Sequence, residues 1–212
     1  MNRKLMKATL RWVQYLFFAG AVLSLGYCGF VVVDSWIFQQ RENRNLQRLL
    51  EDRDHAGGNA LRFNSATVPL GSPAIPTSGL IGRLEIPHLE LSEVVFEGND
   101  SKTLRRAVGH IPGTPMPGQP GNVALTGHRD TFFRPLRNIH PNDIIVLTTL
   151  EGEYHYRVVS TRVVSPDNIA VLNASDSEIL TLVTCYPFYF IGPAPKRFIV
   201  HAALSSDGSD VD

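Results

Sequence analysis

The chain has 212 residues, 43% of them apolar, with 20 basic residues balanced by 20 acidic ones. That length holds one ordinary domain with appendages, and zero formal net charge gives no overall field that would draw nucleic acid or anionic lipid. Its two cysteines, Cys28 and Cys185, lie far apart in sequence and so cannot form a C-x-x-C metal knuckle.

Residues 1–11 carry Arg3, Lys4, Lys7 and Arg11 without a single acid, and residues 12–33 carry no charge at all. Those 22 residues would span about 33 Å as a helix, against about 30 Å for a bilayer core. Trp12 and Tyr15 near one end and Trp36 past the other are placed as interfacial aromatics. The pattern predicts a basic N-terminus (1–11) kept in the cytoplasm, a transmembrane anchor (12–33) and an exported body. A cleaved signal peptide would have a shorter apolar core ending in small residues, whereas this run ends in Val31-Val32-Val33-Asp34.

Residues 34–78 form a connecting region. Leu46, Leu49 and Leu50 at i, i+3, i+4 among mixed charges predict a short juxtamembrane helix, read as a solvated stalk. Gly57, Gly58, Pro69, Gly71, Pro73 and Pro76 then mark a linker that holds the body off the membrane. The body occupies residues 79–204. Strands are expected at 80–87, 91–96, 122–126, 144–149, 154–164, 179–185 and 198–204, with a capped helical turn after Asp100 or Ser101 and another after Ser175. About seven short strands with brief helical insertions argue for an all-β fold, a closed or nearly closed barrel or a sandwich. The small acidic tail, 205–212, is expected to fray.

Cys28 inside an anchor cannot reach an exported Cys185, so the body carries one unpaired thiol into an oxidising compartment. A nucleophilic thiolate needs a group to manage protons and a donor to hold an oxyanion. Of the seven histidines, His128 leaves an apolar strand through Gly127, which places its ring at a strand mouth. His110 is its rival. His55, His88, His140, His155 and His201 have ordinary linker, loop or strand explanations.

Thr181-Leu182-Val183-Thr184-Cys185 resembles the T-L-x-T-C signature of sortases, the membrane-anchored cysteine transpeptidases of bacterial surfaces. Thr126-Gly127-His128-Arg129-Asp130 is similar to that family's catalytic-histidine segment, and Lys196-Arg197-Phe198 to its arginine strand. The stretch from Thr184 to Arg197 resembles the class D branch. The resemblance covers roughly residues 79–204. It implies an eight-stranded closed β-barrel after one N-terminal transmembrane helix, with His128, Cys185 and Arg197 converging in a groove at the barrel wall. It further implies cleavage of a C-terminal sorting motif of the L-P-x-T-A or L-P-x-T-G type in exported proteins, through a Cys185 thioester. The acyl group would pass to an amine on a peptidoglycan cross-bridge or a pilin lysine. Thr126, Thr184 and Tyr186 flank these residues and are expected to meet substrate.

Other readings stay open. A cysteine protease could hydrolyse the same site, and an anchored barrel with Cys185 as filler could be a binding module. Signatures of caspases, papain-like proteases and L,D-transpeptidases are absent around Cys185. No cofactor or metal is implied: Glu93, Glu97 and Asp100 are available acids, but nothing in the spacing clusters them for Ca²⁺.

Overall fold

The computed structural model describes residues 3–60, 79–190 and 192–205; the expected linker beyond residue 60 and the tail beyond residue 205 lie outside the described residues. The first element is a helix, α1 (Arg3–Ala60). The chain divides into two compact units, Met1–Phe38 and Gln39–Asp212.

In the first unit the helix is apolar all round. Its side chains from Trp12 to Val33 are all exposed, and none of its most apolar window is buried against protein. By length and composition it can cross a membrane.

The second unit is a barrel of eight strands: β1 (Leu80–Ile86), β2 (Leu91–Glu97), β3 (Val108–His110), β4 (Asn122–Thr126), β5 (Ile144–Thr149), β6 (Glu153–Val164), β7 (Ile179–Tyr186) and β8 (Lys196–Leu204). Neighbours run β1-β2-β3-β4-β7-β8-β6-β5 and close back onto β1. The β2/β3 and β4/β7 pairs are parallel and the others antiparallel. Closure leaves no open sheet edge. Strand β3 was not expected: its three residues are too short for a period-2 signal, and they follow α2 (Ser101–Leu104) almost at once. Asp100 caps α2 by accepting from the N–H groups of Lys102 and Thr103. No helix forms after Ser175. Its hydroxyl accepts from the Ser177 N–H in a tight turn, and a 3₁₀ turn, Ile169–Leu172, precedes it.

Alternation decides which side chains fill the barrel. Leu84 and Ile86 of β1, Leu91 and Val95 of β2, Val123 and Leu125 of β4, Leu180 and Leu182 of β7, and Val200 and Ala202 of β8 point inward and are buried together. The opposite residues of β4, β7 and β8 therefore face the outer wall.

The helix read as a solvated stalk is instead packed on the barrel. Within the second unit, Leu46 of α1 is 0% exposed. Gln39 accepts the Val94 N–H at 3.0 Å and donates to the Arg106 carbonyl at 2.7 Å. Strand β3 pairs with β2 only from Val95 onward, so the Gln39 amide satisfies two backbone groups just where the ladder stops. Asn43 accepts from Arg83 at 3.0 Å, and Arg53 donates to the Leu150 carbonyl at 3.1 Å. Residues 39, 43, 46 and 53 share one helical face. The charges that suggest a stalk lie mostly on the other face, which is why that expectation missed the docking.

Candidate active site

The register of three neighbouring strands assembles the site. Cys185 of β7 lies directly opposite Arg197 of β8, a pairing that sets Cβ atoms about 5 Å apart on one face. Leu180 and Leu182 fill the core, so alternation turns Cys185 to the outer wall, and Arg197 with it. On the other side β4 runs parallel to β7, with Thr126 level with Val183. Both chains continue two residues past that pair, to His128 and to Cys185. His128 thus leaves β4 one strand away from Cys185 and at the same end of the barrel. Cys185 and Arg197 are half-buried and His128 is exposed.

The backbone around His128 is tightly held. The Gly127 N–H donates to the Val183 carbonyl at 3.3 Å, and the His128 carbonyl accepts from the N–H groups of Thr131 and Phe133. Phe133 is 0% exposed, and its ring lies 3.0 Å from where a Cβ on Gly127 would sit. A side chain at position 127 would force that packed ring to give way by a few tenths of an ångström. Thr184 completes the hold: its hydroxyl donates to the Gly127 carbonyl at 2.7 Å, tying the residue before Cys185 to the residue before His128.

The three residues expected to meet substrate separate by face. Thr126 is half-buried and lies on the outer face with Cys185. Thr184 is 2% exposed and Tyr186 stacks on Phe198 at 6.3 Å and meets Phe188 edge-on. Both project to the other face of β7, because adjacent residues of a strand point oppositely. Their place next to Cys185 in sequence does not put them beside it in space.

Arg129 was overlooked as a site residue. Its side chain is buried, and its guanidinium donates to the carbonyls of Pro187 at 2.9 Å, Phe190 at 2.6 Å and Gly192 at 3.0 Å. Its Nε sits 3.4 Å from Asp130, an ion-pair distance without hydrogen-bond geometry. One side chain therefore clamps the β7–β8 connection, which begins two residues after Cys185, to the segment that carries His128. The only sequence signal was its adjacency to His128.

Histidine His110, the rival proton carrier, is 2% exposed with both ring nitrogens engaged: Nδ1 on Glu97 at 2.7 Å, Nε2 on the Pro115 carbonyl and the Thr114 hydroxyl at 3.0 Å each. The Thr114 hydrogen goes to the Ile111 carbonyl, so both His110 nitrogens face acceptors. It pins the Gly/Pro loop before β4 and has no open face. His201 donates to Thr181, which donates to Asn122 at 2.6 Å; burial, aided by the charge of Arg162, pushes its pKa down. Neither ring faces Cys185. Of the acids considered for Ca²⁺, Glu97 is on His110 and Asp100 is the cap of α2.

Comparison with known proteins places the barrel in a family. The Sortase domain family profile matches residues 84–205. Sortase D of Bacillus subtilis strain 168 is 31% identical over 188 residues, spanning 88% of this chain and 94% of its own length. Among solved structures, a Clostridium perfringens sortase D5 transpeptidase aligns with a TM-score of 0.61 at 26% identity, covering 78% of this chain and 98% of that one. Sortase C1 of Streptococcus agalactiae aligns with a TM-score of 0.58 at 28% identity, over 63% of this chain and 72% of its own.

Proposed function

The chain belongs to the sortase family of cysteine transpeptidases, and from that membership we propose that Cys185, His128 and Arg197 are its nucleophile, proton carrier and oxyanion donor. The observation that carries this reading is the direct pairing of Cys185 with Arg197 on the outer wall, one strand from the exit of His128. The Cys185 thiolate attacks the carbonyl carbon of the scissile peptide bond. His128, as imidazolium, gives its proton to the departing amine when the carbon–nitrogen bond breaks, leaving a thioester. The incoming amine then attacks the thioester, and the neutral imidazole takes its proton as the thiolate leaves.

Among the described residues Arg197 engages one nitrogen, on the Ala194 and Lys196 carbonyls; the other donors of its fork serve substrate oxygens. Thr126 lines the substrate groove on the same face, while Thr184 and Arg129 act from behind, holding the two catalytic segments in register. Family members act on sorting signals of exported proteins. We assign here an L-P-x-T-A or L-P-x-T-G type motif, with a peptidoglycan cross-bridge amine or a pilin lysine as acceptor. Residues 12–33 anchor the enzyme in the bacterial cytoplasmic membrane. The basic residues Arg3, Lys4, Lys7 and Arg11 before them keep the N-terminus inside and the barrel outside.

The test is transfer by the full-length chain from such a pentapeptide to an added amine, read by mass spectrometry. Cys185→Ala abolishes product and His128→Ala nearly does. Arg197→Ala loses about 100- to 1,000-fold in kcat, as for removal of one oxyanion donor. Hydrolysis with no transfer at any amine concentration would favour a protease instead.

A further inference from the structure

Away from Cys185, the closure of the barrel gathers a second set of chemical groups. Strand β1 pairs antiparallel with β5, with Glu85 opposite Val146, so the end of β1 and the start of β5 are neighbours. His88 stands on the 3₁₀ turn Pro87–Leu89 that follows β1. His140 and Asp143 stand on the turn that leads into β5. One donor atom from each of His88, His140 and Asp143 lies within 4.8 Å of the other two.

The carboxylate is set in place before any ligand arrives. Asp143 Oδ2 accepts the His140 backbone N–H at 2.8 Å, and the Asp143 N–H donates back to the His140 carbonyl at 3.2 Å. Asn142 between them takes the left-handed conformation, φ 76°, and its N–H donates to Val158 at 2.8 Å while the Asp143 carbonyl accepts from the Val158 N–H at 2.9 Å. The Asp143 side chain is 13% exposed, with Oδ1 turned to His88 Nδ1 at 2.9 Å, and the His88 side chain is 58% exposed. The two imidazole rings lie 6.1 Å apart, tilted by 40°. A fixed carboxylate thus faces two exposed imidazoles that solvent can reach.

We propose that His88, His140 and Asp143 form a site for a divalent transition-metal cation, Zn²⁺ by donor preference. Two imidazole nitrogens and a carboxylate oxygen suit zinc and its first-row neighbours, whereas Ca²⁺ and Mg²⁺ prefer oxygen shells. The cation replaces the hydrogen bond between His88 and Asp143, small rotations of the two exposed rings bring their nitrogens to bonding distance, and water fills the remaining positions. The Asp143–His140 backbone bond is the outer support that such ligands need. The ion would staple the β1–β2 connection to the segment that runs from His128 into β5. The sequence hides this site because its two histidines come from different turns, without the short spacing of a helical or knuckle motif.

The experiment uses the full-length chain with Cys28→Ala and Cys185→Ala, so that no thiol competes for metal. Zn²⁺ is titrated by calorimetry, and Co²⁺ by visible absorption, which reports coordination geometry. The expected result is one ion per chain, a Co²⁺ spectrum of low coordination number, and weaker binding in acid as protons compete for the ligands. His88→Ala and His140→Ala, both at exposed side chains, should each weaken binding by at least about tenfold, the loss known for perturbing even supporting groups. Their thermal midpoints without metal should match the parent. Absence of stoichiometric binding overturns the site, and so does binding that either substitution leaves unchanged.

Discussion

At the scale of single residues, two side chains beside the proposed catalytic ones do different work from what their positions in sequence suggest. Arg129 spends its guanidinium on three carbonyls of the β7–β8 connection, and Thr184 spends its hydroxyl on Gly127. Replacing Arg129 with methionine leaves three carbonyls to find water. Hydrogen bonds to a charged donor are worth about 1.5–3 kcal/mol each before relaxation, so a net loss of about 2–4 kcal/mol is expected, with kcat/KM falling at least about tenfold. Arg129→Lys recovers only part, because one ammonium cannot serve a forked set of acceptors. Urea unfolding and transfer kinetics of the two variants check this; a methionine variant with parental kinetics would remove Arg129 from the positioning role. The proposed thiol, imidazole and guanidinium each lie in a local motif, and the register of β4, β7 and β8 sets their strands side by side. The role of Arg129 was not legible in the sequence, since its partners are main-chain carbonyls from a distant loop, and carbonyls leave no mark in a sequence. Thr184 and Tyr186 adjoin Cys185 in sequence, yet alternation along β7 turns them to its other face.

At the scale of elements, strands with an apolar run, such as β5 and β7, or with alternation, such as the first half of β6, stand close to where their patterns put them. Strand β3 escaped because three residues carry no period. The more consequential miss is the second half of α1. Its exposed face is charged, yet Gln39 bonds Val94 of β2 and the Arg106 carbonyl, Asn43 bonds Arg83 of β1, and Leu46 is fully buried. Leu46→Ala is expected to cost about 2–4 kcal/mol, the usual range for emptying a buried leucine site. Gln39→Leu leaves the Val94 N–H and the Arg106 carbonyl without their partner and costs about 1–3 kcal/mol. Denaturant midpoints of the full chain measure both. Unchanged midpoints would return this part of the helix to the role of a free stalk.

At the scale of the whole molecule, the barrel's stability carries a pH signature. Glu93 lies on the inward face of β2 between Leu91 and Val95, opposite Leu84 of β1, and burial among these apolar groups raises its pKa from 4.5 to about 7. The folded chain therefore keeps a proton on Glu93 where the unfolded chain has lost it. That contribution to stability is complete below pH 4.5, declines as pH rises, and is gone above pH 7. Glu93→Gln should be level with the parent near pH 4 and more stable near pH 8 by about 1–3 kcal/mol; a pH-independent difference would contradict a half-buried acid that holds its proton. Beyond stability, the proposed chemistry turns on one covalent bond, the Cys185 thioester. Intact-mass analysis of the full-length enzyme, mixed with a sorting-motif pentapeptide and no amine, tests it most directly. The expected result is an acyl adduct that maps to Cys185 and is discharged when an amine is added. Cleavage of the peptide by the Cys185→Ala protein would contradict it.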